Sequence, residues 1–266
     1  MKNLLVDKSS GSDIKVKVKD TVIGQKEKVI ISGPCSVENY EIMHEIAKAL
    51  KSLGVNILRG GAFKPRTSPY DFQGLQLEGL KILREVSDEV NLPVVTEVMD
   101  VRDIDMVLKY SDMLQVGSRN MYNYPLLKEL GKVSSPILLK RGISATLSEW
   151  LYAAEYIVTE GNDNVVLCER GIRTFESYTR NTLDLNSVAV IKQKYRLPVI
   201  VDPSHGTGLR ELVPSMSLAS IAAGADGLII ESHISPDNSV SDSRQTISLE
   251  SLKQIMNNVQ KLQRSL

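Results

Sequence analysis

Two groups of residues in this chain could do chemistry together. Cys35, His205, Glu231 and Asp242 supply one thiol, one imidazole and two carboxylates. A mixed sulfur, nitrogen and oxygen set suits a borderline divalent ion such as Mn²⁺, Fe²⁺, Co²⁺ or Zn²⁺. Each has an ordinary reading when taken alone. A lone cysteine is usually a small buried residue, and a lone histidine a hydrogen-bonding one. Asp242 stands among Ser239, Ser241 and Ser243 and could be a solvated turn. The second group is cationic: Arg59, Lys64, Arg66, Arg119, Lys140 and Arg170, with Arg141 and Arg173 as further candidates. Arginine gives phosphate paired hydrogen bonds, and lysine gives a point charge. Positive groups gathered at one mouth repel each other unless a ligand neutralises them, so their number points to two phosphates rather than one. One or two of them should instead pair with acids such as Glu97 and Glu169.

The cations are densest in Leu58–Tyr70, LRGGAFKPRTSPY. Gly60 and Gly61 allow a sharp turn and close approach to a ligand, while Pro65 and Pro69 stiffen the loop. No acid lies inside the stretch, and Asp71 follows it directly. A cationic loop placed just after an apolar run suits an anionic ligand.

The elements that must position these residues follow one rhythm. Short apolar runs at Val29–Ser32, Val55–Leu58, Val94–Thr96, Met113–Val116, Ile137–Lys140, Val165–Cys168, Val199–Val201 and Gly227–Ile230 read as buried parallel strands. Amphipathic stretches lie between and after them, at Tyr40–Leu53, Leu75–Val90, Val101–Tyr110, Pro125–Leu130, Leu147–Glu160, Leu183–Tyr195, Pro214–Ala223 and Leu249–Leu262. In the first of these Ile42, Ile46, Ala49, Leu50 and Leu53 recur at helical spacing. Eight such units predict an α/β protein with the (β/α)8 barrel fold over residues 29–266. A doubly wound open sheet is the alternative, but no G-x-G-x-x-G follows the first strand. Residues 1–28 stand apart: Ser9–Ser12 reads as a flexible lead. Ile14–Lys19 alternates like a half-buried strand, and Thr21–Gly24 could return as the second strand of a hairpin.

In such a barrel the C-terminal strand ends carry function. Both chemical groups fall there: Cys35 after strand 1, Arg59 and Lys64 after strand 2, and Glu97 at strand 3. Arg119 follows strand 4, Lys140 ends strand 5, and Arg170 follows strand 6. His205 follows strand 7, Glu231 strand 8, and Asp242 lies in the loop beyond. Strands 1, 7 and 8 are neighbours once the barrel closes, so the four metal-type donors can meet. Cys168 and His44 read as structural. His233 lies where strand 8 gives way to loop, and its direction is open.

Bulk properties exclude other classes. Lys plus Arg and Asp plus Glu both number 32, so no broad positive field exists for nucleic acid. Two distant cysteines do not make a disulfide scaffold and suit a reducing compartment. No apolar run is long enough for a signal peptide or a membrane span. A soluble cytoplasmic protein is expected, with no membrane and no nucleic-acid partner.

With these residues in hand, the sequence resembles the 3-deoxy-D-arabino-heptulosonate 7-phosphate synthases, in the short-chain branch related to 3-deoxy-D-manno-octulosonate 8-phosphate synthase. The resemblance is carried by GPCSVE (Gly33–Glu38), LRGGAFKPRTSPYDFQG (Leu58–Gly74), TEVMD (Thr96–Asp100), LQVGSRNMYN (Leu114–Asn123) and LLKRG (Leu138–Gly142). CERGIRTFE (Cys168–Glu176), DPSHGTG (Asp202–Gly208), ESH (Glu231–His233) and SDSRQT (Ser241–Thr246) continue it in order. It implies the barrel fold and the condensation of phosphoenolpyruvate with erythrose 4-phosphate, the first step of the shikimate pathway. It also implies a divalent metal on Cys35, His205, Glu231 and Asp242, and phosphoenolpyruvate on Arg59, Lys64, Arg119, Lys140 and Arg170. Erythrose 4-phosphate would meet Lys64, Pro65, Arg66 and Thr67. Lys64 would give a proton to the new hydroxyl, and Glu97 would orient water. The octulosonate synthases have an asparagine-containing loop in place of Pro-Arg-Thr, so the four-carbon sugar is expected over arabinose 5-phosphate. A homodimer or homotetramer is expected too. With only about 28 residues ahead of the barrel, feedback control through an appended regulatory domain is not. The chain departs from the family pattern at Ser118, Tyr122, Ile234 and Ser243–Arg244, and keeps every implied ligand.

Overall fold

The eight apolar runs that read as parallel strands are buried on both faces, so each must be covered twice, and the fold solves this by closing on itself. The computed structural model describes residues 3–66 and 68–265. It begins with an antiparallel hairpin, β1 (Val16–Val18) and β2 (Thr21–Ile23), with Val18 opposite Thr21. There follow β3 (Val29–Gly33), α1 (Tyr40–Leu53), β4 (Ile57–Arg59), α2 (Gln76–Val90), β5 (Val94–Glu97), α3 (Ile104–Leu108), β6 (Met113–Val116) and α4 (Tyr124–Gly131). The chain continues through β7 (Ile137–Lys140), α5 (Leu147–Val158), β8 (Val165–Glu169), α6 (Leu185–Lys194), β9 (Val199–Val201), α7 (Pro203–Thr207) and α8 (Val213–Ala222). It ends with β10 (Gly227–His233), β11 (Ile247–Ser248) and α9 (Leu249–Ser265). Strands β3 to β9 pair in sequence order, all parallel, and β10 closes the ring by pairing with both β9 and β3. This is the expected eight-stranded barrel.

The strand alternation builds two cores. Ile57, Val95, Met113, Leu138, Cys168 and Ile229 belong to one buried cluster inside the ring. Their neighbours Leu58, Val94, Leu114, Leu139, Leu167 and Leu228 belong to another, shared with the helices. The hairpin completes the inner cluster, because Val16, Val18 and Ile23 are buried in it. Lys19 lies 3.3 Å from Asp112, which immediately precedes β6, so the hairpin closes the barrel at the N-terminal ends of its strands. Ile23→Ala leaves a void there and should cost about 2–5 kcal/mol. At roughly 2–4 °C per kcal/mol the fall in melting temperature is easily measured by calorimetry. Turnover at room temperature should be unchanged, because this plug lies at the end opposite the strand tips.

Element boundaries differ from the sequence expectation in instructive places. Strand β4 starts two residues late, at Ile57, because the Asn56 side chain takes over the ladder and accepts the Ile30 amide at 2.8 Å. Strand β10 runs three residues further, to His233, because Ser232 and His233 pair with Ile247 and Ser248 of β11. His233 is therefore a strand residue, not the start of a loop. The helix expected at 101–110 begins as a 3₁₀ turn, Val101–Asp103, capped by Asp100, and only Ile104–Leu108 is α-helical. The lead at Ser9–Ser12 is anchored. Lys8–Ser10 forms a 3₁₀ turn held by Ser10 Oγ donating to Leu4 O at 2.6 Å, and Arg196 donates to Ser12 O at 2.8 Å. Among the described residues no helix is long and apolar enough to cross a membrane.

Candidate active site

The inner face of each strand follows a rule of two. Where an apolar residue points into the barrel, the residue two positions later also points inward, one layer nearer the C-terminal rim. Ile57 is followed by Arg59, Val95 by Glu97, Met113 by Gln115, Leu138 by Lys140, Cys168 by Arg170, Ile200 by Asp202 and Ile229 by Glu231. All of these second residues are at least largely buried, and Arg59, Glu97, Gln115, Lys140 and Arg170 line one cavity of about 340 Å³. Cys35, Lys64, Arg66, Arg119, His205 and Asp242 line the same cavity. Thr67 lies outside the described residues.

The four metal-type donors meet. Ligand atoms of Cys35, His205, Glu231 and Asp242 all lie within 4.8 Å of one another. Each arrives by a different route. Cys35 follows β3 on a backbone that packs against Gly61, where a side chain would meet the Cys35 carbonyl at 2.6 Å. Gly61 is thus required by its neighbour, and its φ is not positive. His205 sits on α7, a five-residue helix not expected from the sequence. Asp202 caps that helix by accepting the His205 amide at 2.9 Å, Pro203 opens it, and Gly208 ends it in the left-handed region. Glu231 ends the inward row of β10. Asp242 arrives on the following loop with its own φ at +55°, a conformation aspartate tolerates. That turn closes through Gln245 and Thr246 amides donating to Asp242 O at 3.2 and 3.3 Å.

Hydrogen bonds fix the quartet from behind. Glu231 Oε1 accepts from Arg59 at 2.8 Å and lies 3.2 Å from His205 Nε2. Its Oε2 accepts from Gln245 at 2.9 Å. Asp202 Oδ2 faces His205 Nδ1 at 2.7 Å and accepts from Lys140 Nζ at 2.7 Å. A carboxylate on Nδ1 turns Nε2 toward the other donors, the arrangement that orients metal-ligating histidines generally. The Lys64 ammonium contacts Cys35 Sγ and donates to Asp242 Oδ2 at 2.8 Å, so these donors already accommodate positive charge.

Electrostatics follow from burial and from these pairs. Burial pushes the Cys35 thiol up to about 12, and Glu231 adds to the effect. Burial also raises Glu97. It would raise Asp202, Glu231 and Asp242 as well, but their cationic partners reverse the sign. His205 and Lys140 hold Asp202 well below the usual carboxylate range. His205 and Arg59 hold Glu231 down, and Lys64 does so for Asp242. Burial lowers His205. For Lys64 burial acts downward too, but Cys35, Glu231 and Asp242 outweigh it and keep the group protonated.

The cations pair with acids other than those expected. Arg59, Lys64 and Lys140 bind Glu231, Asp242 and Asp202. Glu169 instead pairs with Arg141 at 2.8 Å, and Arg141 also binds Asp184 at 2.8 Å. Arg141 is therefore a buried structural cation. Glu97 accepts from Gln115 at 3.0 Å, and Gly117 leaves room for its carboxylate, which a side chain there would meet at 2.1 Å. Arg66 pairs with the nearby Asp71 at 3.2 Å. Arg119 reaches the Pro65 carbonyl at 3.4 Å, and among the described residues buried Arg170 donates only to Gly171 O at 3.4 Å. Arg173 lines the cavity, as do Arg180 and Asn181, which the sequence reading did not single out. Cys168 is core, and His44 packs on Tyr40 and faces Glu89 at 3.3 Å on the outside of α1.

A mouth with four soft and hard donors on one wall and a ring of cations around it can hold a divalent ion beside phosphorylated, carboxylated substrates. Residues 13–266 match the model of the DAHP synthetase I family. The chain is 48% identical over 250 residues to a phospho-2-dehydro-3-deoxyheptonate aldolase of Thermotoga maritima, covering 94% of this chain and 74% of that protein. It is 30% identical over 260 residues to a 2-dehydro-3-deoxyphosphooctonate aldolase of Syntrophotalea carbinolica, covering 91% and 93%. The crystal structure of the Thermotoga maritima phospho-2-dehydro-3-deoxyheptonate aldolase superposes with a TM-score of 0.96 at 45% identity, over 99% of this chain and 78% of that one. A truncated form of 3-deoxy-D-arabino-heptulosonate 7-phosphate synthase from the same organism gives 0.91 at 42%, over 98% and 96%. By the span of the family match and by its identity to these relatives, this chain belongs to the DAHP synthetase I family.

Proposed function

We propose that this protein condenses phosphoenolpyruvate with D-erythrose 4-phosphate to give 3-deoxy-D-arabino-heptulosonate 7-phosphate and phosphate, the first step of the shikimate pathway. One observation carries the reading to the residues: the four donors meet, three of them (Cys35, His205 and Asp242) line the same cavity as the cation belt, and Lys64 of that belt touches Cys35 and Asp242. The donor chemistry fits a divalent ion held by Cys35, His205, Glu231 and Asp242. Such an ion supplies Lewis-acid polarisation of the sugar aldehyde or activation of the attacking water.

The protein's own residues do the rest. Arg59, Lys64, Arg119, Lys140 and Arg170 hold the carboxylate and phosphate of phosphoenolpyruvate and neutralise them as charge develops. Arg66, beside Lys64 and Pro65, meets the sugar phosphate. C3 of phosphoenolpyruvate attacks the aldehyde carbon, and Lys64 gives its proton to the oxygen that becomes the new hydroxyl. Water adds at C2 of the former phosphoenolpyruvate with loss of a proton, Glu97 orienting it. The C2–O bond to phosphate then breaks, and phosphate leaves as the ketone forms.

The Pro65-Arg66-Thr67 run and the higher identity to the heptonate aldolase favour the four-carbon sugar. Phosphate release with phosphoenolpyruvate and each sugar phosphate tests this. Erythrose 4-phosphate should be turned over at least about 100-fold more efficiently than arabinose 5-phosphate, a ratio within reach of pocket contacts. Equal or faster turnover of arabinose 5-phosphate would reverse the assignment.

A further inference from the structure

Three members of the quartet sit on strand β10, on helix α7 or directly after β3, but Asp242 rides on a loop in a left-handed conformation. Something must hold that loop against the Cys35 loop. Beside the Cys35–Asp242 contact itself and the Lys64 bridge, two contacts that involve no quartet member do so. Ser36 Oγ and Ser241 Oγ lie 2.9 Å apart, both buried. Glu38 Oε1 accepts the Val240 amide at 3.2 Å. The same Glu38 oxygen faces His233 Nε2 at 3.4 Å, with the His233 side chain only 2% exposed and Glu38 8% exposed. Among the described residues His233 Nε2 is buried without a hydrogen-bond partner, and Glu38 is the acid that faces it. The other ring nitrogen is held at Ser235, 3.0 Å from its amide and 2.8 Å from its carbonyl. Glu38 is thus the node that ties the Cys35 loop, the end of β10 and the Asp242 loop together.

We propose that Glu38 is a positioning residue: through His233 and the Val240 amide it fixes the loop carrying Asp242 at the spacing from Cys35 that a divalent ion requires. The inference rests on the metal reading proposed above. It predicts that Glu38 governs ion affinity and leaves the chemical step alone. Full-length wild-type, Glu38→Ala and Glu38→Gln proteins would be titrated with Co²⁺, following both heat and the absorption of the Co²⁺–thiolate bond. Glu38→Ala should bind Co²⁺ about 10–100-fold more weakly, the usual effect of losing a group that orients a metal ligand. At saturating Co²⁺ its thiolate band and kcat should match wild type. Glu38→Gln should recover part of the affinity, because its amide oxygen still accepts the Val240 N–H. If Glu38→Ala does not fold, Ser36→Ala carries the test with the same weakening, since it removes the parallel Ser36–Ser241 contact. Unchanged Co²⁺ affinity in the alanine variant, with wild type binding normally, overturns the role of Glu38. A wild-type protein that binds no Co²⁺ overturns the metal reading beneath it.

Discussion

Cys35→Ala should all but abolish turnover in this protein, and chelation of the wild type should do the same. The expected loss is at least about 10³-fold in kcat, roughly 4 kcal/mol of transition-state stabilisation. The reason lies in how the quartet is built. Cys35 Sγ is 2.9 Å from Asp242 Oδ2 and in contact with the Lys64 ammonium, so it is the donor that joins one wall of the site to the other. Glu231 and His205 form the opposite pair, 3.2 Å apart and braced by Arg59, Gln245 and Asp202. Removing the sulfur leaves that pair intact, so the variant should fold with an unchanged circular dichroism spectrum. Elemental analysis should find about one bound divalent ion per wild-type chain and far less in the variant. Readdition of Mn²⁺ or Co²⁺ to chelated wild type should restore activity, and readdition to Cys35→Ala should not. Full turnover by metal-free wild type, or an unchanged kcat in Cys35→Ala, would sink the metal assignment outright.

The barrel and most of the mouth were readable because strands impose period two. An inward apolar residue followed two places later by an ionisable one marks a strand that delivers chemistry to the rim, and Arg59, Glu97, Lys140, Arg170 and Glu231 all obey this. Gln115 and Asp202 obey it equally. Neither carries a signal of its own in the sequence: a glutamine is not ionisable, and His205 is the metal-type donor of the run that opens with Asp202. Its weight comes from three-dimensional contact, since one carboxylate serves both Lys140 and His205. Pairings across the barrel had no sequence signal at all. Arg141 looked like a spare ligand until Glu169 and Asp184 closed around it. Arg180 and Asn181 lie on the long connection from β8 to α6, where no period constrains direction. The hairpin's alternation was legible, but not the choice between capping the barrel floor and joining an interface. Nothing in Val16, Val18 or Ile23 says that they complete the inner core of a barrel that starts several residues later.

Lys64→Ala should lower kcat by about 10³-fold, near the middle of the range for a lost general acid, and also raise the KM for phosphoenolpyruvate. Two separate duties predict two separate symptoms. As a fixed charge, Lys64 lies in the same cavity as Arg119, Lys140 and Arg170, and its loss weakens anion binding. As a proton donor, it is a protonated amine on the loop after β4, held by Asp242 and kept charged by Cys35, Glu231 and Asp242 despite its burial. Lys64→Arg separates the duties. Arginine keeps the charge but does not give up a proton at neutral pH. The arginine variant should therefore bring the KM for phosphoenolpyruvate back toward the wild-type value while kcat stays low. Steady-state kinetics with both substrates varied gives the two constants independently. If arginine restores kcat, Lys64 acts through its charge alone and the proton to the new hydroxyl comes from elsewhere. If neither variant changes KM, the lysine is no part of the anion belt, and its contact with Cys35 and Asp242 would be its whole role.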